Sequence, residues 1–267
     1  MQRKNTKIVI VSATSGIGFH LALSWAQLGH QITGTFRCNN ADIGLLREQK
    51  VTMLECDLCE DASMSRFANQ IDGWDVLVLC PGTMEPIGSF EQVNFSIWKK
   101  SIEVNLVSQL DLLHKLLPKR QKGFNHGPAV IFFAGGGTNS APLNYSAYTA
   151  SKIALIKMVE LLDAEMSDTR FSIIGPGWVN TKIHQETLDA GQHAGLNYEI
   201  TINKLARNNE MTPLNDIFEC CNWIVNSPKK VVGGRNFSVV HDRWGSKELD
   251  NQLTQNPDMY KLRRYMN

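Results

Sequence analysis

Short apolar runs alternate with stretches of helical period along this chain, and that alternation leaves it few folds to choose from. Lys7–Val11, Ile32–Phe36, Val51–Leu54, Asp75–Leu79, Ala129–Phe133, Arg170–Ile174 and Phe237–Val240 read as strands. None shows the in-out alternation of a half-exposed sheet, so both faces of each strand are expected to be covered. Between the first two, Ile17, Leu21, Leu23 and Leu28 recur near helical period until Gly29, a natural helix end. Ile97–Leu117 and Tyr148–Met166 carry the same period at greater length. Strand and helix in strict succession mean parallel strands joined by crossover helices. The expectation is a doubly wound α/β fold, with a seven-stranded parallel sheet flanked by helices.

No repeat, low-complexity segment or flexible linker divides the 267 residues, so a single domain over 1–267 is expected. Two features depart from the rhythm. A polar insertion at about 182–212 follows the sixth strand, where a substrate loop is expected, and a tail at about 241–267 follows the seventh. Lys and Arg number 27 against 26 Asp and Glu, a net charge of +1. That balance gives no electrostatic reason to bind nucleic acid or an anionic membrane. No run approaches the roughly 18 apolar residues of a membrane span, and the basic start Met1–Lys7 has no signal-peptide core behind it. A cytoplasmic location is expected.

The chemistry concentrates at strand ends. Ser12-Ala13-Thr14-Ser15-Gly16-Ile17-Gly18 joins the first strand to the first helix. In a Rossmann-type sheet a dinucleotide pyrophosphate sits there, on the free N–H groups and positive dipole end of the helix. Glycines let backbone approach phosphate with no Cβ between them. Alone, Gly-Ile-Gly is equally compatible with a plain turn. After the fifth strand comes Tyr148-Thr149-Ala150-Ser151-Lys152. Positions i and i+4 share a helix face, so the phenol and ammonium point the same way. Such a lysine is expected to favour the phenolate and lower the tyrosine pKa, fitting the phenol to exchange a proton with an alcohol or ketone.

With these motifs in order, the sequence resembles the short-chain dehydrogenase/reductase family in its compact form. Val11–Gly18 is similar to the family's Thr-Gly-x-x-x-Gly-Ile-Gly turn, and Leu79-Cys80-Pro81-Gly82 stands where the family has Asn-Asn-Ala-Gly. Asn105 matches its helix asparagine, Tyr148 and Lys152 its Tyr-x-x-x-Lys, and Gly175–Thr181 its Pro-Gly-x-x-x-Thr segment. The resemblance implies an NAD(P)-dependent oxidoreductase acting on a carbonyl compound or secondary alcohol. It implies Tyr148 as proton donor or acceptor, and Lys152 as the group that lowers its pKa and holds the nicotinamide ribose. Asn105 would hold a relay water. Cofactor contacts are implied at Ser12, Thr14, Ser15, Gly16, Ile17, Gly18, Asp57, Gly82, Pro176, Gly177, Val179 and Thr181, with Asp57 against the adenine amine and Thr181 against the carboxamide. A homodimer or homotetramer is expected, paired through Ile97–Leu117 and Ile153–Met166.

Three positions depart from the pattern. Ser12 replaces the first glycine of the turn, and of Asn-Asn-Ala-Gly only Gly82 survives. The family's catalytic serine lies thirteen residues before the tyrosine; here that residue is Gly135, preceded by Ala134. Thr138, in the glycine-rich stretch that follows, or a backbone N–H is the candidate replacement donor. The missing hydroxyl also keeps open an alternative, a non-catalytic NADP-binding sensor or regulatory protein on the same fold. Cofactor choice falls on the end of the second strand, where an acid would favour NAD. Arg37 stands there with no acid, so NADP is expected over NAD. No metal is expected: Cys56-Asp57-Leu58-Cys59 lacks a second pair of ligands, and the histidines show no ligand spacing.

Overall fold

The computed structural model describes residues 5–207 and 211–264. The basic stretch Met1–Lys4, residues 208–210 of the polar insertion and residues 265–267 of the tail lie outside the described residues. The strands are β1 (Lys7–Val11), β2 (Gln31–Phe36), β3 (Thr52–Glu55), β4 (Val76–Leu79), β5 (Ala129–Phe133), β6 (Arg170–Gly175) and β7 (Arg235–Ser238). They form one parallel sheet in the order β3-β2-β1-β4-β5-β6-β7, the doubly wound fold that the alternation predicts. The order reverses between β1 and β4, and ligands of such sheets bind beyond the carboxyl ends of the strands at that point.

The crossovers are α1 (Gly16–Gln27), α2 (Ala41–Glu48), α3 (Asp61–Gln70), α4 (Phe95–Ile102), α5 (Ser108–Leu116), α6 (Ser146–Glu165), α7 (Ile183–Ala190), α8 (Leu196–Ala206), α9 (Leu214–Asn226) and α10 (Lys229–Val232); α11 (Lys247–Gln255) lies in the tail. Successive strand residues point to opposite faces, and the core divides accordingly. Ile8, Ile10, Val76 and Val78 meet Leu21, Trp25, Ile217 and Ile224 on one face. Val9, Val11, Leu77 and Leu79 meet Phe67, Leu112, Leu155 and Val159 on the other. The sheet is thus apolar on both sides, which is why its strands read as runs.

Three elements differ from the sequence reading, each for a physical reason. The helix expected from Ile97 starts at Phe95, because the Asn94 side chain accepts the N–H groups of Ser96 and Ile97 at 2.9 and 3.3 Å. A π-type turn over Glu103–Val107 separates α4 from α5, and the Gln109 amide fills it by donating to the carbonyls of Val104 and Asn105. The last strand is Arg235–Ser238 rather than Phe237–Val240. A charged residue opens it: Arg235 is buried, and its guanidinium donates to the carbonyls of Lys230, Val231, Leu253, Asn256 and Met259, tying the tail to the sheet. Finally, the polar insertion contains two helices, α7 and α8. The inward residues of α7 are His184 and Thr187, so it has no apolar stripe for a sequence reading to find.

Candidate active site

The turn after β1 is built to bring backbone close to a ligand. Ser12 has a left-handed backbone, φ +62°, which costs a residue with a Cβ about 1–2 kcal/mol. Local bonds hold it there. Its N–H donates to the Thr35 hydroxyl at 2.8 Å, and its carbonyl accepts the Ser15 hydroxyl at 2.7 Å and the Ser15 N–H at 3.0 Å. Ser15 caps α1 by accepting the Gly18 N–H at 3.3 Å. Gly18 is sterically required by backbone, and Gly16 packs against a side chain. A Cβ on Gly18 would lie 2.3 Å from the Ser12 carbonyl oxygen, and one on Gly16 2.7 Å from Thr181 Cγ2. No acidic side chain stands in the first turn of α1, so its N-terminus presents positive potential to a cavity of about 940 Å³ that Ser15, Gly16 and Ile17 line. These residues fit an anionic ligand approached along the backbone. Thr14 is half-buried beside them.

Across the cavity stand Tyr148 and Lys152, one turn apart on α6. The Lys152 ammonium is buried, 5.8 Å from the centre of the Tyr148 ring, and donates to the Phe133 carbonyl at 2.9 Å and the Pro81 carbonyl at 3.4 Å. Burial brings its pKa down to about 8. Tyr148 moves opposite to the sequence expectation. Its phenol is pushed up to about 12, first by burial and then by the carboxylate of Glu186, and both effects disfavour the phenolate.

Asn105 is fully buried at the π-type turn. Its side chain accepts the Thr83 N–H at 2.9 Å and donates to the Thr83 carbonyl at 2.8 Å and the Ser101 hydroxyl at 3.2 Å. The segment after β4, which lacks the family's asparagines, is therefore clamped by Asn105. A Cβ on Gly82 would sit 3.7 Å from Lys152 Nζ and 3.8 Å from Asn105 Oδ1, so Gly82, Lys152 and Asn105 converge.

The missing serine has a steric counterpart. A Cβ on Gly135 would lie 2.4, 2.5 and 2.6 Å from Cε1, the hydroxyl oxygen and Cζ of Tyr148. The phenol ring occupies the space of any side chain at position 135. Thr138 lines the same cavity, exposed on the glycine-rich turn.

After β6, Pro176, Gly177, Val179 and Thr181 line the cavity. Gly177 has φ +78°, and a Cβ there would meet Thr212 Oγ1 at 2.5 Å and Val240 Cγ2 at 2.6 Å. The Thr181 carbonyl accepts the His184 N–H as α7 begins, and the rings of Trp178 and His184 stack at 4.7 Å. The sequence reading missed Glu186, on α7 and lining the cavity. No motif marks it; it reaches the site only because α7 folds over residues 83–84.

Arg37 is exposed just past β2, followed by Cys38, Asn39 and Asn40. Asp57, just beyond β3, caps its own turn by accepting the Cys59 N–H at 2.8 Å. Neither lines the main cavity. Cys56 is buried and Cys59 exposed, and among the described residues no group of three His, Cys, Asp or Glu could hold a metal ion. No described helix is long and apolar enough to cross a membrane.

Comparison with known proteins gives the family and the fold. A model of the short chain dehydrogenase family matches residues 6–191. The human mitochondrial dehydrogenase/reductase SDR family member 2 is 28% identical over 188 residues, which are 66% of this chain and 66% of that protein. The vibriobactin-specific 2,3-dihydro-2,3-dihydroxybenzoate dehydrogenase of Vibrio cholerae is 24% identical over 77% of this chain and 86% of its own. Among solved structures, a short-chain dehydrogenase/reductase from Saccharomyces cerevisiae superposes with a TM-score of 0.77 at 20% identity, over 92% of this chain and 99% of its own. A short chain dehydrogenase from Shigella flexneri, solved in complex with NADP, gives 0.73 at 19% identity, over 88% and 97%; at such identities the likeness is one of fold. With the family model spanning most of the sheet and both halves of the site, this chain belongs to the short-chain dehydrogenase family.

Proposed function

We propose that the chain is a cytoplasmic, NADP-dependent oxidoreductase interconverting a carbonyl compound and a secondary alcohol. The observation that carries this reading is the convergence of Tyr148 and Lys152 with the glycine turn on one cavity. When bound, the nicotinamide supplies or accepts the hydride. Tyr148 gives a proton to the carbonyl oxygen in reduction and takes one from the alcohol in oxidation. Lys152 holds a positive charge beside it and binds the ribose, while Asn105 fixes the wall on which both act and holds the relay water. Ser12, Ser15, Gly16 and Gly18 seat the pyrophosphate; Gly82, Pro176, Gly177, Val179 and Thr181 surround the nicotinamide half, and Asp57 the adenine. With no side chain at Gly135, the polarising donor falls to Thr138. Exposed Ile97, Val107 and Leu161 on the outer faces of α4–α6 support a homodimer or homotetramer.

Arg37, with no acid beside it, supports NADP over NAD, as does the NADP complex of the Shigella flexneri relative. Fluorescence titration is expected to give tighter binding of NADPH than NADH, and Arg37→Ala to remove most of the difference. Equal affinities in the native protein would refute this choice.

The pH dependence follows from the two shifted groups. A phenol near 12 is protonated throughout the neutral range, so reduction has its proton in place. Lys152 loses its charge above about 8, so kcat/KM for reduction is expected to be flat below that pH and to fall above it. Oxidation needs the phenolate and is expected to rise with pH over the same range. A reduction rate that climbs between neutrality and pH about 9 would contradict these assignments.

One observation favours a second reading, a non-catalytic NADP-binding sensor: β5 is followed by Ala134 and Gly135, with no hydroxyl. That protein would bind NADPH and consume none of it against any carbonyl compound.

A further inference from the structure

Helix α7 is seated on the cavity by one carboxylate. Glu186 Oε2 accepts the Met84 N–H at 2.5 Å and the Thr83 hydroxyl at 3.1 Å. Asn105 holds Thr83 from the other side through both its N–H and its carbonyl. One residue on, the Thr187 hydroxyl meets that of Tyr145 at 2.9 Å. The Glu186 donors are the Met84 and Glu85 amides and the Thr83 hydroxyl, all neutral, so its negative charge stays uncompensated by them on the wall of the cavity, although burial and the nearby Glu85 carboxylate push its pKa up. Glu186 and Tyr148 line the same cavity, and after burial, the larger effect, that charge adds to the rise of the Tyr148 phenol. The other charged groups on the cavity are differently disposed. Lys152 is turned to the Phe133 and Pro81 carbonyls, Asp242 accepts the Ser238 N–H, and Lys182 is exposed; Lys261 is half-exposed, on the tail.

A substrate oriented with its carbonyl on Tyr148 therefore brings its neighbouring group toward a fixed anion in a site partly shielded from water, where charges act more strongly than in bulk. We infer that Glu186 is a specificity-determining residue: the site takes carbonyl compounds with a hydroxyl or amino group beside the reacting carbon and turns away those with a carboxylate there. This rests on the oxidoreductase reading above.

Hydroxyacetone and pyruvate, alike in size, test it with the full chain and NADPH. The native protein is expected to prefer hydroxyacetone in kcat/KM, and Glu186→Gln, which keeps an acceptor for Met84, to shrink that preference about tenfold. A preference unchanged in Glu186→Gln would overturn the inference. Calorimetric titration of propylene glycol against lactate, with oxidised cofactor present, reads the same preference without turnover. No turnover of either ketone with the binding preference intact and dependent on Glu186 would sink the oxidoreductase reading alone; no change in binding preference would sink the inference alone. Hydrogen exchange over residues 183–190 reads the anchoring: faster in Glu186→Ala and near native in Glu186→Gln. Equal protection in native and Glu186→Ala protein would remove the anchoring and the inference with it.

Discussion

Replacing Tyr148 with phenylalanine is expected to lower kcat roughly 10²–10⁴-fold, the usual contribution of a positioned proton-transfer group. NADPH affinity should stay nearly native, because the ring keeps its place against Gly135 and only the hydroxyl is lost. Steady-state kinetics with a carbonyl substrate and fluorescence titration of NADPH check the two halves separately. A variant that turns over undiminished would show that the proton travels by another group. A variant that loses the cofactor as well would show that the hydroxyl is structural.

The second large effect concerns Gly135. Restoring the family's serine there looks like a gain of the missing donor, but its Cβ would fall within 2.6 Å of three atoms of the Tyr148 side chain. Gly135→Ser is therefore expected to destabilise the protein by about 1–3 kcal/mol, the typical cost of overpacking a filled site. The displaced phenol should also cost roughly 10²-fold in kcat, as misplacement by about 1 Å can. Urea denaturation and kinetics on the same preparation measure both. Higher activity at native stability would mean that ring and serine coexist, and that Gly135 is a lost donor rather than a seat.

The contrast between those variants reflects what the sequence could carry. The sheet was legible because buried parallel strands must be apolar on both faces, and Lys7–Val11, Val76–Leu79 and Ala129–Phe133 are. The glycine turn and the Tyr148–Lys152 pair were legible because their chemistry needs residues at fixed spacing within one turn or helix. Long-range effects were not. Position 135 was visibly without a hydroxyl, yet nothing local says that the Tyr148 ring fills its place. The phenol pKa moves opposite to the sequence expectation, since a neighbouring lysine can be counted along a helix whereas burial, and a carboxylate on the distant helix α7, cannot. Helix α7 escaped because its inner face is polar, and β7 was displaced because Arg235 satisfies its charge on carbonyls of α10 and of the tail.

Hydride transfer can be followed by isotope from cofactor to product. The native protein would be mixed with NADPH carrying deuterium at the transferable position and with a panel of ketones and aldehydes that includes hydroxyacetone. The products would then be read by mass spectrometry. The expected product is an alcohol that carries the deuterium at the former carbonyl carbon, formed in equal amount with NADP. Cofactor that binds and remains unconsumed against the whole panel would contradict it and leave a dinucleotide-binding protein without this chemistry.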